Sequence, residues 1–410
     1  MRSLLGSFDS VMDASEFENV LAAFADALPR QLDDQQRQRI VGACDRIKEQ
    51  LETPLETTGR LMLGGYEGVV LRLAVDMKLI DTAVSAQAPV TAQALAEQSG
   101  ADIILVQRLM RMLVAMSFFE EAQAGFVPKP HARAYVSGSP LREAVIHLSS
   151  KLPTIAFLPD YFAENGYHNP NDAFNGPFQY AHATDKHYFN WLSTKPHLQQ
   201  AFNATMSLAP IQRGEQWFEF YPVRERLRVT SPSDILLVDI GGGIGHDIAK
   251  FCAAFPDLPG RLVLQDAPAV LQQAELPSAI EAIAHDFFKP QPTQFQNAKA
   301  YYLRTVLHDW PDKQAAVILG HIRDAMSEDS VLLINESVLP ESDVSLYQCK
   351  MDLNMMGSYS SLERTVAQFR KLLESCGFAL AGTWRPRVMV PGSGVLLEAV
   401  VKRTLGMEGC

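Results

Sequence analysis

The pattern of apolar positions divides the chain into two regimes. Through the first 150 residues the apolar side chains recur at helical spacing: Leu21, Phe24, Ala25 and Leu28 share one face, and residues 40–51 form a second amphipathic stretch. Thr91 is placed to cap a helix through Leu95 and Ala96, Ser99-Gly100 breaks it, and residues 104–113 predict a second helix. Residues 118–121 and 125–128 then read as two short strands, so this stretch has the outline of a winged helix. Residues 153–210 change character, with aromatic side chains from Phe157 and Tyr161 to Trp191 and Phe202. Such density in a helical connector either lines an apolar pocket or joins two cores.

From Ile235 onward, short apolar runs alternate with helical stretches. Strands are predicted at 235–240, 261–265, 280–284, 300–307, 331–335, 378–384 and 395–401, and helices at 245–254, 269–274, 313–326 and 364–376. Continuous apolar strands separated by helices indicate a parallel sheet covered on both faces. The connection 385–394 holds Pro386, Pro391 and Gly392 without a helical pattern, too little chain for a parallel crossover, so the last strand is expected to run antiparallel. Three segments follow: residues 1–150, helical with a winged helix; 151–232, a helical connector; and 233–405, the α/β part.

Composition narrows the function. The 410 residues include 36 Lys and Arg against 47 Asp and Glu, a net charge of -11, which disfavours broad attraction to nucleic acid or anionic lipid. No apolar run approaches the roughly 20 residues of a spanning helix, and residues 1–13 carry Asp9 and Asp13 without the apolar core of a secretory signal. Cys44, Cys252, Cys349, Cys376 and Cys410 are scattered and odd in number, so neither a disulfide framework nor a thiolate metal site is expected, and a reducing cytosol fits. The predicted second helix of the winged region offers only Arg108 and Arg111 to phosphates, which favours packing or dimerisation over DNA binding.

The chemistry gathers at predicted strand ends. Asp239-Ile240-Gly241-Gly242-Gly243-Ile244-Gly245 follows a buried strand and opens a helix. Its glycines permit close backbone approach, and the helix start presents free N–H groups, as a nucleotide or nucleoside site requires. Asp266 ends the second strand of the α/β part, where a carboxylate can accept both ribose hydroxyls. Asp286-Phe287 follows the third, pairing an acceptor for an exocyclic amine with an apolar face for a purine. His308 emerges at the same edge as a candidate general base, with Glu336 at the end of the next strand and Glu363 near a helix start. Two carboxylates around an imidazole would orient it and favour its protonated form.

The glycine loop, the acidic residues after it, His308-Asp309-Trp310, Glu336 and Glu363-Arg364-Thr365 closely resemble the plant caffeate-type and fungal secondary-metabolite O-methyltransferases, over about residues 60–405. The resemblance implies an α/β fold, a class I methyltransferase Rossmann-like sheet of six parallel strands and one reversed strand behind an N-terminal winged-helix dimerisation domain. It implies S-adenosylmethionine held by Asp239, Gly241, Gly243, Gly245, Asp266, Asp286, Phe287, Arg304 and Trp310, and a catalytic set of His308, Asp309, Glu336 and Glu363. Phe202, Met206 and Met355 match substrate positions, no metal is required, and the expected assembly is a cytoplasmic homodimer acting on a small aromatic or polyketide-derived molecule.

The chemistry implied is methyl transfer to a phenol or enol hydroxyl, with His308 taking the proton of a group whose ordinary pKa is about 10. Some fungal proteins similar to this family instead catalyse pericyclic cyclisation or dehydration. Lys350, in Cys349-Lys350-Met351-Asp352, is the candidate donor to a substrate carbonyl under that alternative. A third alternative is a winged-helix DNA-binding regulator with S-adenosylmethionine as effector.

Overall fold

The computed structural model describes residues 13–29, 31–206, 208, 214–389 and 393–402. The first twelve residues, Cys410, and Pro391 and Gly392 of the last connection lie outside the described residues. The chain divides into two compact units, Met1–Glu67 and Gly68–Cys410.

The first unit contains helices Ala14–Asp26, Asp34–Leu51 and Pro54–Leu63. Their starts are fixed locally: the Asp13 carboxylate accepts from the Glu16 N–H, and Asp33 with Gln36 and Thr53 with Glu56 form reciprocal capping boxes. None of its described residues is buried, and Phe24, Leu55 and Met62 are 65%, 82% and 72% exposed.

In the second unit the predicted winged helix follows helices Gly65–Asp76 and Leu79–Ser85. Thr91 caps helix Ala92–Ser99, Gly100 ends it in the left-handed conformation, and Asp102 caps Ile103–Ala115. Strands β1 (Phe119–Ala122) and β2 (Gly125–Pro128) pair antiparallel as the wing. Gly125 is required there: at φ +135° a Cβ would lie 2.6 Å from the Val90 carbonyl oxygen. This core continues into the aromatic connector, because Leu95, Val106, Leu113 and Phe119 belong to one buried cluster with Phe178, Tyr188, Leu198, Met355 and Tyr359.

Seven strands form the main sheet: β3 (Ile235–Ile240), β4 (Arg261–Asp266), β5 (Ile280–Ala284), β6 (Ala300–Arg304), β7 (Val331–Glu336), β8 (Phe378–Trp384) and β9 (Val395–Val401), in spatial order β5-β4-β3-β6-β7-β9-β8. All neighbours are parallel except at β9, which pairs antiparallel with both β7 and β8. The last strand is therefore reversed, as the short connection requires, and it inserts between β7 and β8. Both faces are covered. Val238, Ile240, Leu303 and Ile334 face one cluster with helix Asp312–Ala325, while Leu237, Leu264, Tyr302 and Leu333 face another with Trp217 and Phe251.

Most predicted boundaries hold within about two residues, and the larger or better-explained differences are these. The fourth strand of this sheet stops at Arg304, three residues before the expected end, because Thr305 turns left-handed at φ 48° and the Val306 and Leu307 N–H groups bond the Glu336 carboxylate, leaving the ladder. The helix expected at 269–274 is the single turn Pro268–Leu271. The helix expected from 364 begins at Val366 because Thr365 caps it with Gln368. Among the described residues no helix is long and apolar enough to cross a membrane.

Candidate active site

Parallel register brings the strand ends to one edge, since Ile240 pairs with both Gln265 and Leu303, and Arg304 pairs with Asn335. Gly241, Gly243 and Gly245 all have positive φ, at 69°, 64° and 84°, and lead into helix His246–Ala254, which has no side-chain cap. A Cβ on Gly241 would press on Val306 at 3.0 Å, whereas one on Gly243 would meet nothing within 4 Å. The loop is thus tight at its start and open above the helix N-terminus. Asp266 accepts from the Gly243 N–H at 2.8 Å and from the Ala267 N–H at 2.7 Å. Asp239 is fully buried beneath the loop, and among the described residues neither of its carboxyl oxygens has a partner. Burial first, and the neighbouring Asp247 second, push its pKa well above the carboxylate range.

Asp247, in the first turn of that helix, was not singled out from the sequence. Its carboxylate takes the Arg304 guanidinium and, at 3.2 Å, the Tyr302 hydroxyl, which also accepts from Asn335 at 2.9 Å. Arg304 is thereby tied to the start of the helix. Asp286 is exposed on one side and accepts from the Phe288 N–H at 3.0 Å. Trp310 is 6% exposed and stacks on His187 at 4.4 Å, with Phe288 edge-on at 4.6 Å and Phe287 at 5.9 Å. His187, also missed, covers one face of that indole.

His308 lies in the short 3-10 turn Leu307–Asp309, gripped from several sides. Glu336 accepts the Val306 and Leu307 N–H groups at 3.0 and 2.9 Å. The buried Arg364 donates to the Leu307 carbonyl at 2.7 Å, the Trp310 carbonyl at 2.8 Å and the Asp312 carboxylate. Ser361 donates to the carbonyl of His308 itself. On the imidazole, Nδ1 is 3.1 Å from Glu363 and 4.0 Å from Glu336, while Nε2 is 3.6 Å from Asp309. Burial opposes its charge, but Asp309, Glu336 and Glu363 together push its pKa up to about 10. Burial raises Glu336 to about 7 and Asp309 to about 6, against the pull of the imidazolium. The arrangement favours a proton on the imidazole.

The expected substrate residues fall on two helices. Phe202 and Met206 lie on Pro196–Met206, Phe202 half-buried and edge-on to His147 at 5.2 Å, Met206 44% exposed. Met355 and Lys350 lie on Leu346–Tyr359, a helix absent from the expected elements; Met355 is buried and Lys350 exposed.

The O-methyltransferase domain family matches residues 166–379, and the O-methyltransferase dimerisation domain matches residues 60–138. Demethylsterigmatocystin 6-O-methyltransferase of Aspergillus flavus is 31% identical over 395 residues, covering 96% of this chain and 100% of that one. Two solved structures, one titled a pericyclic reaction enzyme and one LepI in complex with SAM, each superpose with a TM-score of 0.81 at 30% identity, over 95% of this chain and 100% of theirs. The chain belongs to the O-methyltransferase family, and its fold is the α/β class I methyltransferase fold with an N-terminal dimerisation domain.

Proposed function

We propose that the protein is an S-adenosylmethionine-dependent O-methyltransferase that methylates a phenol or enol hydroxyl of a secondary metabolite, with His308 as general base. The observation that carries this reading is the contact of His308 Nδ1 with Glu363 at 3.1 Å, which leaves Nε2 as the nitrogen to face a substrate hydroxyl beside Asp309. Fit to the cofactor is supported by the open space over Gly243 and the unpartnered Asp239 carboxyl beneath the loop. Asp239, Gly241, Gly243 and Gly245 would form the floor, Asp266 would take the ribose, and Asp286, Phe287, Arg304 and Trp310 would surround the rest. When bound, S-adenosylmethionine supplies an electrophilic methyl group and a sulfonium charge. Phe202, Met206, Met355 and Lys350 are the residues assigned to the substrate.

The carboxylates raise the imidazole toward the proton affinity of a phenol, which narrows the free-energy gap for transfer between the two. Asp309, Glu336 and Glu363 stabilise the imidazolium that results. Imidazole with phenol and imidazolium with phenolate hold the same number of protons, so both routes give activity that rises with pH.

This reading assigns residues 1–150 to dimerisation, 151–232 to a connector that helps wall the pocket, and 233–405 to catalysis, in a cytoplasmic homodimer that does not bind nucleic acid. The dimerisation family match at 60–138 supports the homodimer. The test is mass spectrometry with methyl-labelled cofactor and candidate phenols: one S-adenosylhomocysteine per labelled product is expected. The second reading is a pericyclase, supported by the 30% identical pericyclic enzyme and by an imidazolium suited to donating a hydrogen bond. Product formed without S-adenosylhomocysteine would select it.

A further inference from the structure

Lys151 is a buried cation that methyl transfer as described above leaves unused. It precedes helix Leu152–Glu164 and is 5% exposed, and among the described residues its ammonium forms no hydrogen bond or ion pair. Its Nζ lies over two aromatic faces, 5.1 Å from the Tyr188 ring centre and 5.2 Å from that of Tyr359. Burial lowers its pKa to about 8, although Asp309 pulls the other way. One helical turn before it, His147 is 2% exposed, with Nδ1 3.4 Å from the Tyr188 hydroxyl. Burial, aided by Lys151, holds that imidazole neutral, with a pKa of about 3. Three residues after Lys151, the Thr154 hydroxyl is buried and has no partner among the described residues.

The group adjoins the catalytic turn. Tyr359 ends the helix that passes through Ser360 to Ser361, whose hydroxyl bonds the His308 carbonyl. The Asp309 carboxylate acts on Lys151, Tyr188 and Tyr359 alike. Cation–π contact recovers only part of what an ammonium loses on leaving water, and among the described residues Lys151 has no oxygen acceptor to supply the rest. A substrate carboxylate would add a further negative charge beside Asp309, Glu336 and Glu363. A neutral carbonyl accepts the hydrogen bond without that repulsion.

We propose that Lys151 binds a carbonyl oxygen of the substrate, which makes the substrate a hydroxyaryl ketone, or its enol equivalent, acylated near the hydroxyl that is methylated. The location of that hydroxyl at His308 rests on the methyl-transfer reading; the carbonyl contact does not.

The test is equilibrium binding to the full-length protein with S-adenosylhomocysteine present, using resorcinol, 2,6-dihydroxyacetophenone and 2,6-dihydroxybenzoate as probes. The ketone should bind at least about tenfold more tightly than resorcinol, the scale of one charge-assisted hydrogen bond, and more tightly than the benzoate. Lys151→Met should bring ketone and resorcinol within about twofold, while S-adenosylhomocysteine affinity is unchanged. Lys151→Gln, which keeps a donor, should retain part of the preference and carries the test if the methionine variant does not fold. A ketone preference that survives both substitutions, a wild type that prefers the benzoate, or a wild type that binds no ketone overturns the proposal. Loss of the preference in a protein that yields no methylated ketone removes the methyl-transfer reading and leaves Lys151 assigned. Methylation with an unaffected preference removes only the Lys151 assignment.

Discussion

At the carboxyl edge of the sheet, Asp239 apart, the protein itself supplies partners for the charged groups: Arg304 holds Asp247, Asp266 takes two backbone N–H groups, Glu336 takes two more, and Arg364 bridges carbonyls to Asp312. Across the His308 turn, the wall built by His147, Lys151, Tyr188 and Tyr359 has a cation that lies over two aromatic faces and, among the described residues, forms no hydrogen bond. The edge is organised before any ligand arrives. The wall is incomplete in its hydrogen bonding and is finished by what binds there. Substitutions at the edge should therefore act on chemistry and cofactor, and those at the wall on substrate choice and stability.

The largest expected effect is at the edge. His308→Ala should lower turnover by on the order of 10² to 10⁴, the usual contribution of a positioned acid or base. Affinity for S-adenosylhomocysteine, measured by calorimetry, should stay nearly unchanged, and the residual activity of the variant should rise with pH as solvent supplies the phenolate. Equal loss of cofactor binding would show that the residue holds the cofactor loop rather than the proton. Asp266→Ala comes next. Removing the ribose acceptor should weaken S-adenosylmethionine by about 1 to 3 kcal/mol, and a folded variant with unchanged calorimetric affinity would displace the cofactor from this edge.

The same contrast explains what the sequence made visible. In a parallel sheet the functional groups follow directly on apolar runs, so Asp239, Asp266 and Glu336 could be located by where each run ends. The glycine loop was legible because positive φ favours glycine, and three such positions within five residues leave a compositional mark. The turn at Thr305 was not: a non-glycine residue at φ 48° leaves no compositional mark, and the carboxylate that caps the following N–H groups lies 30 residues on. Lys151 was equally hidden. It follows Ser149-Ser150 in an unremarkable stretch, and the rings that bury it come from positions 188 and 359. Lys350 drew notice through its neighbours in the chain, yet it is exposed. No periodicity records a wall assembled from separate helices.

A smaller effect sharpens the comparison from the wall side. The Lys151 pKa falls from 10.5 to about 8 on folding, so below pH 8 the folded state carries a charge that burial penalises. Between those values the unfolded chain binds more protons, and stability rises with pH as the penalty is relieved. Lys151→Met removes the penalty outright. At pH 7 it should stabilise the protein by about 1 to 2 kcal/mol, an increase in Tm that fades above pH 10. A lower Tm would mean that the cation–π contacts outweigh the desolvation they accompany.

The smallest effect separates the two functions of Glu336. Its Oε1 accepts from the Val306 and Leu307 N–H groups, while its other oxygen, 4.0 Å from His308 Nδ1, contributes charge without a hydrogen bond. Glu336→Gln keeps an oxygen for the turn and removes the charge, so the fold should survive and the His308 pKa, now about 10, should fall. Activity that rises with pH would then reach its plateau about one pH unit lower. At pH 7 the rate should rise by no more than about threefold, because burial raises Glu336 to about 7 and its charge is only partly present there. The measurement is kcat/KM from pH 6 to 10.5 for both proteins. An unshifted profile would leave Glu363 and Asp309 as the carboxylates that set the proton affinity of His308, with Glu336 confined to holding the turn.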